Sequence, residues 1–421
     1  MKAFRFRIYP GPEHEERLLA TVEACRRLWN DSLAHRKRRW EEEGRQTSYN
    51  LQQWILTSVR NSDPELQSVH SQVAQDVLHR VDRAFKSFFE HRASYPRFKK
   101  RRESGSFTYP QAYNGSVKPD VLRKRFYFSK IGNVMAVFHR TLPRDMMLKT
   151  CTVTREPCGE WYASLVYEPV VPLQDVKVPQ LSQMELPAIG IDLGLMALVT
   201  TSDGEKIEPP KFLRKADSRL KHLQKELSRK KNGSNNRWRT RRRVASLHAK
   251  VSRQRADFNH KLSRRLVREH NLVVFEDLRI CNMMRNHHLA KSIVDAGWGQ
   301  LVAFAEYKAK AERRTVVLVD AQYSSQKCSW CGVMNNISLN VRKFTCIGCS
   351  RTLDRDVNAA RIVLKRGIAK VGQDVPELKP VETGPLLAPK RGAHVWSWKQ
   401  EPEAHGFGRG RISHIQFLIS P

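Results

Sequence analysis

The sequence predicts a multidomain α+β protein, and three observations carry that prediction. The hydrophobic period changes along the chain: helical spacing from Glu13 to about His91, strand alternation from Phe107 to Glu168, then short apolar strands alternating with helices from Ala188 onward. Two C-x-x-C pairs, Cys328/Cys331 and Cys346/Cys349, are separated by fourteen residues. Each pair supplies two thiolates from a tight turn, which fits a tetrahedral structural zinc site. The length of 421 residues leaves room for two to four domains, and 75 Lys+Arg against 42 Asp+Glu give a formal net charge of +33.

Lys2–Pro10 sets Phe4, Phe6 and Ile8 against Arg5, Arg7 and Tyr9 and ends in Pro-Gly-Pro, so it reads as a short strand. Leu18, Leu19, Val22, Leu28 and Leu33, and later Val73, Val77, Val81, Phe85, Phe88 and Phe89, recur at the spacing of core-facing helices. Tyr95–Arg102 is a basic linker with an aromatic on each side of Pro96. Its two readings are a solvated loop and a clamp combining phosphate contact with base stacking, and the net charge favours the clamp. Phe126–Ser129, Val134–His139, Cys151–Arg155 and Trp161–Tyr167 are rich in β-branched and aromatic residues. They predict an antiparallel barrel completed by the N-terminal strand. Val170–Leu186 bears Pro and Gln with little period and marks a boundary.

Ala188–Asp192 is an apolar strand, followed by a return strand that closes in an Asp203-Gly204 turn. A carboxylate embedded in such a run is costly unless paired or metal-bound. Gly194 suits a close backbone approach. Lys211–His270 holds 21 Lys+Arg against 4 Asp+Glu, a net +17. Leu220, Leu223 and Leu227 form one stripe there. Val244, Leu247, Val251, Phe258, Leu262 and Leu266 form another, with a break at Asn232–Asn236. A helical hairpin with one apolar seam and a basic outer face follows. Acidic partners at i+4 are scarce, which favours phosphate contact. Leu272–Leu278 is a short strand ending in Glu276 and Asp277; Ala296-Gly-Trp-Gly opens a helix, and Thr315–Val319 is a further strand. Beyond the cysteines come Asp354 and Asp356 and a helix through Ala359, Ala360, Ile362 and Val363. The texture fades after Ile368, and the tail reads as largely disordered.

Asp192, Glu276 and Asp356 lie far apart in sequence, yet this mixed layout brings such positions to one sheet edge. Carboxylates gathered there hold two Mg²⁺ ions roughly 3.5–4 Å apart for in-line phosphoryl displacement. The strong basicity points to a nucleic acid. There is no apolar run of about 18 residues, so no membrane partner is expected. Met1–Arg27 lacks a secretory apolar region. The remaining cysteines, Cys25, Cys151, Cys158 and Cys281, are scattered, as in a reducing cytoplasm rather than in a disulfide framework.

Gly190-Ile-Asp192-Leu-Gly194, Phe275-Glu276-Asp277-Leu278, Ser324-Ser-Gln326-Lys-Cys328, the cysteine pairs and Asp354-Arg-Asp356-Val-Asn358-Ala359-Ala360 together resemble the TnpB (OrfB) proteins of IS200/IS605-type transposons. These are ancestral to compact type V CRISPR effectors. Ala296-Gly-Trp298 and Pro96-Arg-Phe-Lys also look like family segments, and the match runs from about Phe4 to about Lys370. The resemblance implies a RuvC-type, RNase H-like core over 187–322 and 351–370, with a zinc-binding target nucleic-acid-binding insert over 323–350. It also implies a wedge β-barrel over 1–10 and 103–170, a helical recognition domain over 11–102, a linker over 171–186 and a tail over 371–421. It makes Asp192, Glu276 and Asp356 the catalytic, Mg²⁺-holding acids, with Asp354 and Asp277 ranked below them. Cys328, Cys331, Cys346 and Cys349 become the Zn²⁺ ligands.

The implied activity is Mg²⁺-dependent cleavage of double-stranded DNA beside a short flanking motif, directed by a guide RNA (an omega RNA, or a CRISPR RNA in the effector alternative). Polar residues near Tyr49, Gln53 and Gln75 are the expected readers of that motif. A monomer in the prokaryotic cytoplasm, associated with the nucleoid when bound, is expected. A guided repressor that does not cut stays open as a third reading, although no acid is missing.

Overall fold

The alternating Phe4, Phe6 and Ile8 form β1 (Lys2–Tyr9), with Phe6 and Ile8 buried. The structure, a computed structural model, describes residues 1–101, 105–143, 145–170, 187–338 and 341–373. The predicted linker at 171–186 and nearly all of the predicted tail lie outside the described residues. Six further strands join β1: β2 (Gly105–Tyr109), β3 (Val117–Asp120), β4 (Arg125–Phe128), β5 (Gly132–Val137), β6 (Met146–Arg155) and β7 (Trp161–Pro169). They form an antiparallel sheet in the order β2-β6-β7-β1-β5-β4-β3. The sheet curls. Tyr109 of β2 stacks on Phe128 of β4 at 6.1 Å, and its hydroxyl donates to the Ser129 carbonyl at 2.9 Å. Strand β3 escaped the sequence reading because Pro119 interrupts it, and proline is confined to edge positions such as this.

Between β1 and β2 run α1 (Pro12–Glu43), α2 (Tyr49–Ser62), α3 (Pro64–Ser68) and α4 (Ser71–Phe89). Proline at the first turn of α1 costs no hydrogen bond, and Gly44 at φ 63° ends the helix. The predicted stripes meet: Leu18, Leu28, Leu33, Val73, Val77 and Val81 share one core with Phe6, Phe107 and Phe126 of the curled sheet, but Phe89, predicted on the second stripe, is exposed at the end of α4. The basic linker lies along α1. The Trp29 indole donates to the Arg97 carbonyl at 3.1 Å, and the Lys99 ammonium sits 3.6 Å over the same ring. The Lys99 ammonium is therefore engaged with Trp29 although the residue is exposed, and Phe98 also stays outward.

The second sheet has the order β10-β9-β8-β11-β12, from β8 (Ala188–Asp192), β9 (Val199–Thr201), β10 (Lys206–Ile207), β11 (Leu272–Glu276) and β12 (Thr315–Val319). β8, β11 and β12 run parallel, β9 pairs antiparallel with β8, and β10 pairs antiparallel with β9. Between β10 and β11 come α5 (Phe212–Ser228) and α6 (Asn235–Glu269). Then come α7 (Ile280–Met283), α8 (His287–Ala296) and α9 (Trp298–Ala311) before β12. The α5–α6 hairpin exists, but its seam is not single. Val244 and Val251 pack on Leu220, Leu223 and Leu227, whereas Leu262 and Leu266 join the core beneath the second sheet, with Phe258 packed against it. At 35 residues α6 is long enough to reach both. Its Arg253 also bonds Glu156 at 2.8 Å and pairs with Glu160 at the β6–β7 turn, tying the helix to the curled sheet.

After β12 the chain forms the cysteine unit, with the two-stranded β13 (Lys343–Thr345) and β14 (Thr352–Asp354), and then α10 (Arg355–Gln373). Helix α10 lies on the sheet closely enough to require glycine. A Cβ at Gly190 of β8 would collide with the Ala360 carbonyl and Leu364 amide, and one at Gly367 with Val274 of β11. Met1–Ile368 forms one compact unit. No described helix is long and apolar enough to cross a membrane.

Candidate active site and metal centre

Two parallel strands deliver the first two acids. The register Phe275↔Ile191 places Glu276 level with Asp192 at the carboxyl ends of β11 and β8. Glu276 is buried, and its Oε1 accepts a hydrogen bond from the Ser324 hydroxyl at 2.7 Å. The third acid comes from the first turn of α10, whose glycine-permitted contact with β8 sets Asp356 against the same edge. Asp277, by contrast, is exposed. Asp354 is spent as a helix cap: its Oδ1 accepts from the Asp356 and Val357 amides at 3.1 and 3.2 Å. Its Oδ2 meets Lys206 at 2.8 Å.

The electrostatics tie the three acids together. Burial, then the charges of Glu276 and Asp356, push Asp192 up to about 8, against the pull of Arg355 and Lys206. Burial also raises Glu276, partly offset by Ser324, Arg366 and the Leu193 amide. Like charges held together in a poorly solvated place disfavour ionisation, and a divalent cation relieves that penalty. Around Asp356 the protein's own cations stand further off: Lys206 at 3.9 Å, Arg342 at 3.8 Å and Arg355 at 3.5 Å. Hard oxygen donors of this kind suit Mg²⁺.

The four cysteines converge, with their Sγ atoms all within 4.8 Å of one another. Cys328 and Cys349 are 3.8 Å apart, and Cys331 and Cys346 are 3.5 Å apart. Those separations are too long for disulfides. Four sulfurs at 2.3 Å from a tetrahedral zinc would stand about 3.8 Å apart, which the observed spacings match. Burial opposes ionisation of Cys346, but the Gly348 and Cys349 amides, with Cys331 and Asn335, outweigh it and pull the thiol down to about 6. This set can hold a metal ion. A second close group, Glu156, Cys158 and Glu160, is different: Arg5, Arg7 and Arg253 already neutralise its carboxylates.

The cysteine unit is bolted to the carboxylates. Asn358, two residues after Asp356, accepts from the Ser329 amide at 2.7 Å and donates to the Lys327 carbonyl at 2.7 Å. Ser324, which bonds Glu276, enters the same unit. Ser324 and Asn358 stand in the motif segments of the sequence, but nothing there assigns them these contacts, and Lys206 and Arg366 carry no signal at all. Tyr49, Gln53 and Gln75 are half-buried on α2 and α4, with Tyr49 stacked on His79 at 4.0 Å.

Known proteins resemble this chain over most of its length. Residues 172–287 match the family OrfB_IS605, described as "Probable transposase", and residues 298–363 the "Cas12f1-like, TNB domain". Residues 1–45 match one described as "Helix-turn-helix domain"; here that span holds β1 and the single unbroken helix α1. A Streptomyces pristinaespiralis protein named "Putative RNA-guided DNA endonuclease" is 38% identical over 378 residues, 87% of this chain and 90% of its own length. InsQ of Escherichia coli K12, which carries the same description, is 30% identical over 405 residues, 91% and 97% of the two chains. The chain belongs to the TnpB (OrfB) family of IS200/IS605-type transposon proteins. Its fold is that of the small Cas12 proteins: a solved Cas12f1–sgRNA–target DNA complex superposes with a TM-score of 0.52 at 15% identity, covering 83% of this chain and 82% of the other.

Proposed function

We propose that this chain is an RNA-guided DNA endonuclease that hydrolyses target DNA beside a short flanking motif, with Asp192, Glu276 and Asp356 as its RuvC-type centre. The observation that carries this reading is the convergence of these three acids, at the ends of β8 and β11 and the start of α10, where the charges of Glu276 and Asp356 bear on the buried Asp192. The names of its relatives and the formal charge of +33 support it. The second sheet with α10 acts as the nuclease core, the cysteine unit as a zinc-held insert, and the curled sheet with α1–α4 as the wedge and recognition parts.

In this reading Asp192, Glu276 and Asp356 would hold Mg²⁺, which when bound would lower the pKa of a water and offset charge on the leaving oxygen. The chain does the positioning. Ser324 and the Leu193 amide fix the Glu276 carboxylate. Asp354 caps α10 and thereby aims Asp356. The basic faces of α5 and α6 neutralise phosphates of the guide RNA and its heteroduplex, whose base pairing reads the sequence. The four thiolates hold Zn²⁺.

The test is to co-express the protein with its native flanking DNA, sequence the co-purified RNA, and challenge the complex with a plasmid library of randomised flanks and Mg²⁺. The expected result is one discrete RNA and cleavage beside one short motif. The end of that RNA, a transposon end or a CRISPR repeat, decides which guide is used. Specific binding without cutting, or heterogeneous RNA, would contradict the proposal.

A further inference from the structure

Trp330 sits between the first two cysteines, and 56% of it is exposed. A single exposed apolar residue is ordinary; the surroundings of this one are not. Ile347, in the second knuckle, is 79% exposed, and Val333 is 38% exposed. The Val333 side chain lies against Gly348, so the two knuckle loops present one apolar rim. The Arg351 guanidinium lies 4.0 Å over the Trp330 ring, and that of Arg361 stands 6.0 Å from it. Neither guanidinium has an acidic partner among the described residues. A flat ring beside uncompensated guanidiniums suits a base with its phosphates better than it suits a protein surface.

Ser329, next to the tryptophan, is held by Asn358 at 2.7 Å and by Lys365, both on α10. Arg361 is five residues beyond Asp356 on that helix, about 7.5 Å along its axis. Arg361 also donates to the Ser202 carbonyl at 3.1 Å, and the Ser202 hydroxyl accepts from the Gly190 amide of β8 at 3.3 Å. The ring is thus anchored to both elements that carry Asp356 and Asp192.

We propose that Trp330, with Arg351 and Arg361, is a stacking platform for one base of the single-stranded DNA delivered to the carboxylates. The inference rests on the nuclease reading for the identity of that strand. Stacking holds the base while the guanidiniums take the adjoining phosphates. The strand is then gripped a small number of nucleotides from the bond to be cut.

The test titrates single-stranded DNA carrying 2-aminopurine into the full-length protein, without guide RNA. The Trp330→Ala and Trp330→Tyr variants run beside the wild type, with zinc content checked in all three. The expected result is fluorescence quenching in the wild type. In Trp330→Ala, Kd rises roughly 5- to 100-fold and the quenching disappears, whereas Trp330→Tyr keeps most of both. Unchanged Kd and quenching in Trp330→Ala with normal zinc would overturn the proposal, as would a clear preference for the same sequence in RNA. Guided cleavage of duplex DNA by the wild type, assayed in parallel, tests the underlying reading. Its absence with quenching intact would sink the nuclease reading and leave the platform standing.

Discussion

Asp192, the first acid of the proposed centre, works against stability. Burial and two neighbouring carboxylates raise its folded pKa from 3.8 to about 8. Between those values the folded chain keeps a proton that the unfolded chain has released. Without Mg²⁺, the stabilisation linked to this proton is full below about pH 4 and is lost as pH rises through 8. Asp192→Asn removes the linkage. It should raise Tm in Mg²⁺-free buffer by a few degrees at pH 8, with the gain shrinking toward pH 5. Adding Mg²⁺ should then stabilise the wild type and not the variant. Thermal unfolding across pH and Mg²⁺ reads both effects, and a Tm gain independent of pH would count against the charge cluster. This residue was legible in the sequence because an acid inside an apolar strand has few structural reasons to be there. The hydroxyl of Ser324 was not, since its bond to Glu276 spans 48 residues and no periodicity announces it.

At the scale of elements, the site depends on how closely α10 lies on β8. Gly190 permits that contact. Gly190→Ala should drive a methyl group into the backbone of α10. The expected cost is about 1–3 kcal/mol in urea unfolding, together with weaker cleavage, because Asp356 moves with the helix. Wild-type stability in this variant would mean that α10 packs elsewhere. The strands and helices that bound the site followed from period and composition alone. Their mutual arrangement did not. The N-terminus of α5 is capped by Asp295, whose carboxylate accepts from the Leu213 amide at 2.9 Å across 82 residues. Helix α6 divides its apolar face between two cores although its stripe reads as continuous. Local patterns define faces, and only the tertiary fold decides which partner each face meets.

At the scale of the whole molecule, the cysteine unit and the carboxylates are one mechanical assembly. Asn358 and Ser324 join them through hydrogen bonds of 2.7 Å. Structural zinc contributes folding energy to such units. Cys346→Ser should therefore lose zinc and most cleavage while retaining guide RNA on the basic α5–α6 hairpin. Metal analysis, RNA co-purification and a cleavage assay on one preparation separate those effects. Full zinc content with full activity would contradict the assignment.

Asp192, Glu276 and Asp356 are proposed to act as one centre. The most direct test is the single-turnover cleavage rate of the guided complex, wild type against Asp192→Ala, Glu276→Ala and Asp356→Ala, singly and together, with Asp277→Asn as control. A shared centre entails a loss of at least about 100-fold in each single variant, no further loss in the triple variant, unchanged guide binding throughout and a nearly normal rate in the control. A rate within tenfold of wild type in any of the three, or losses that multiply in the triple, would contradict it.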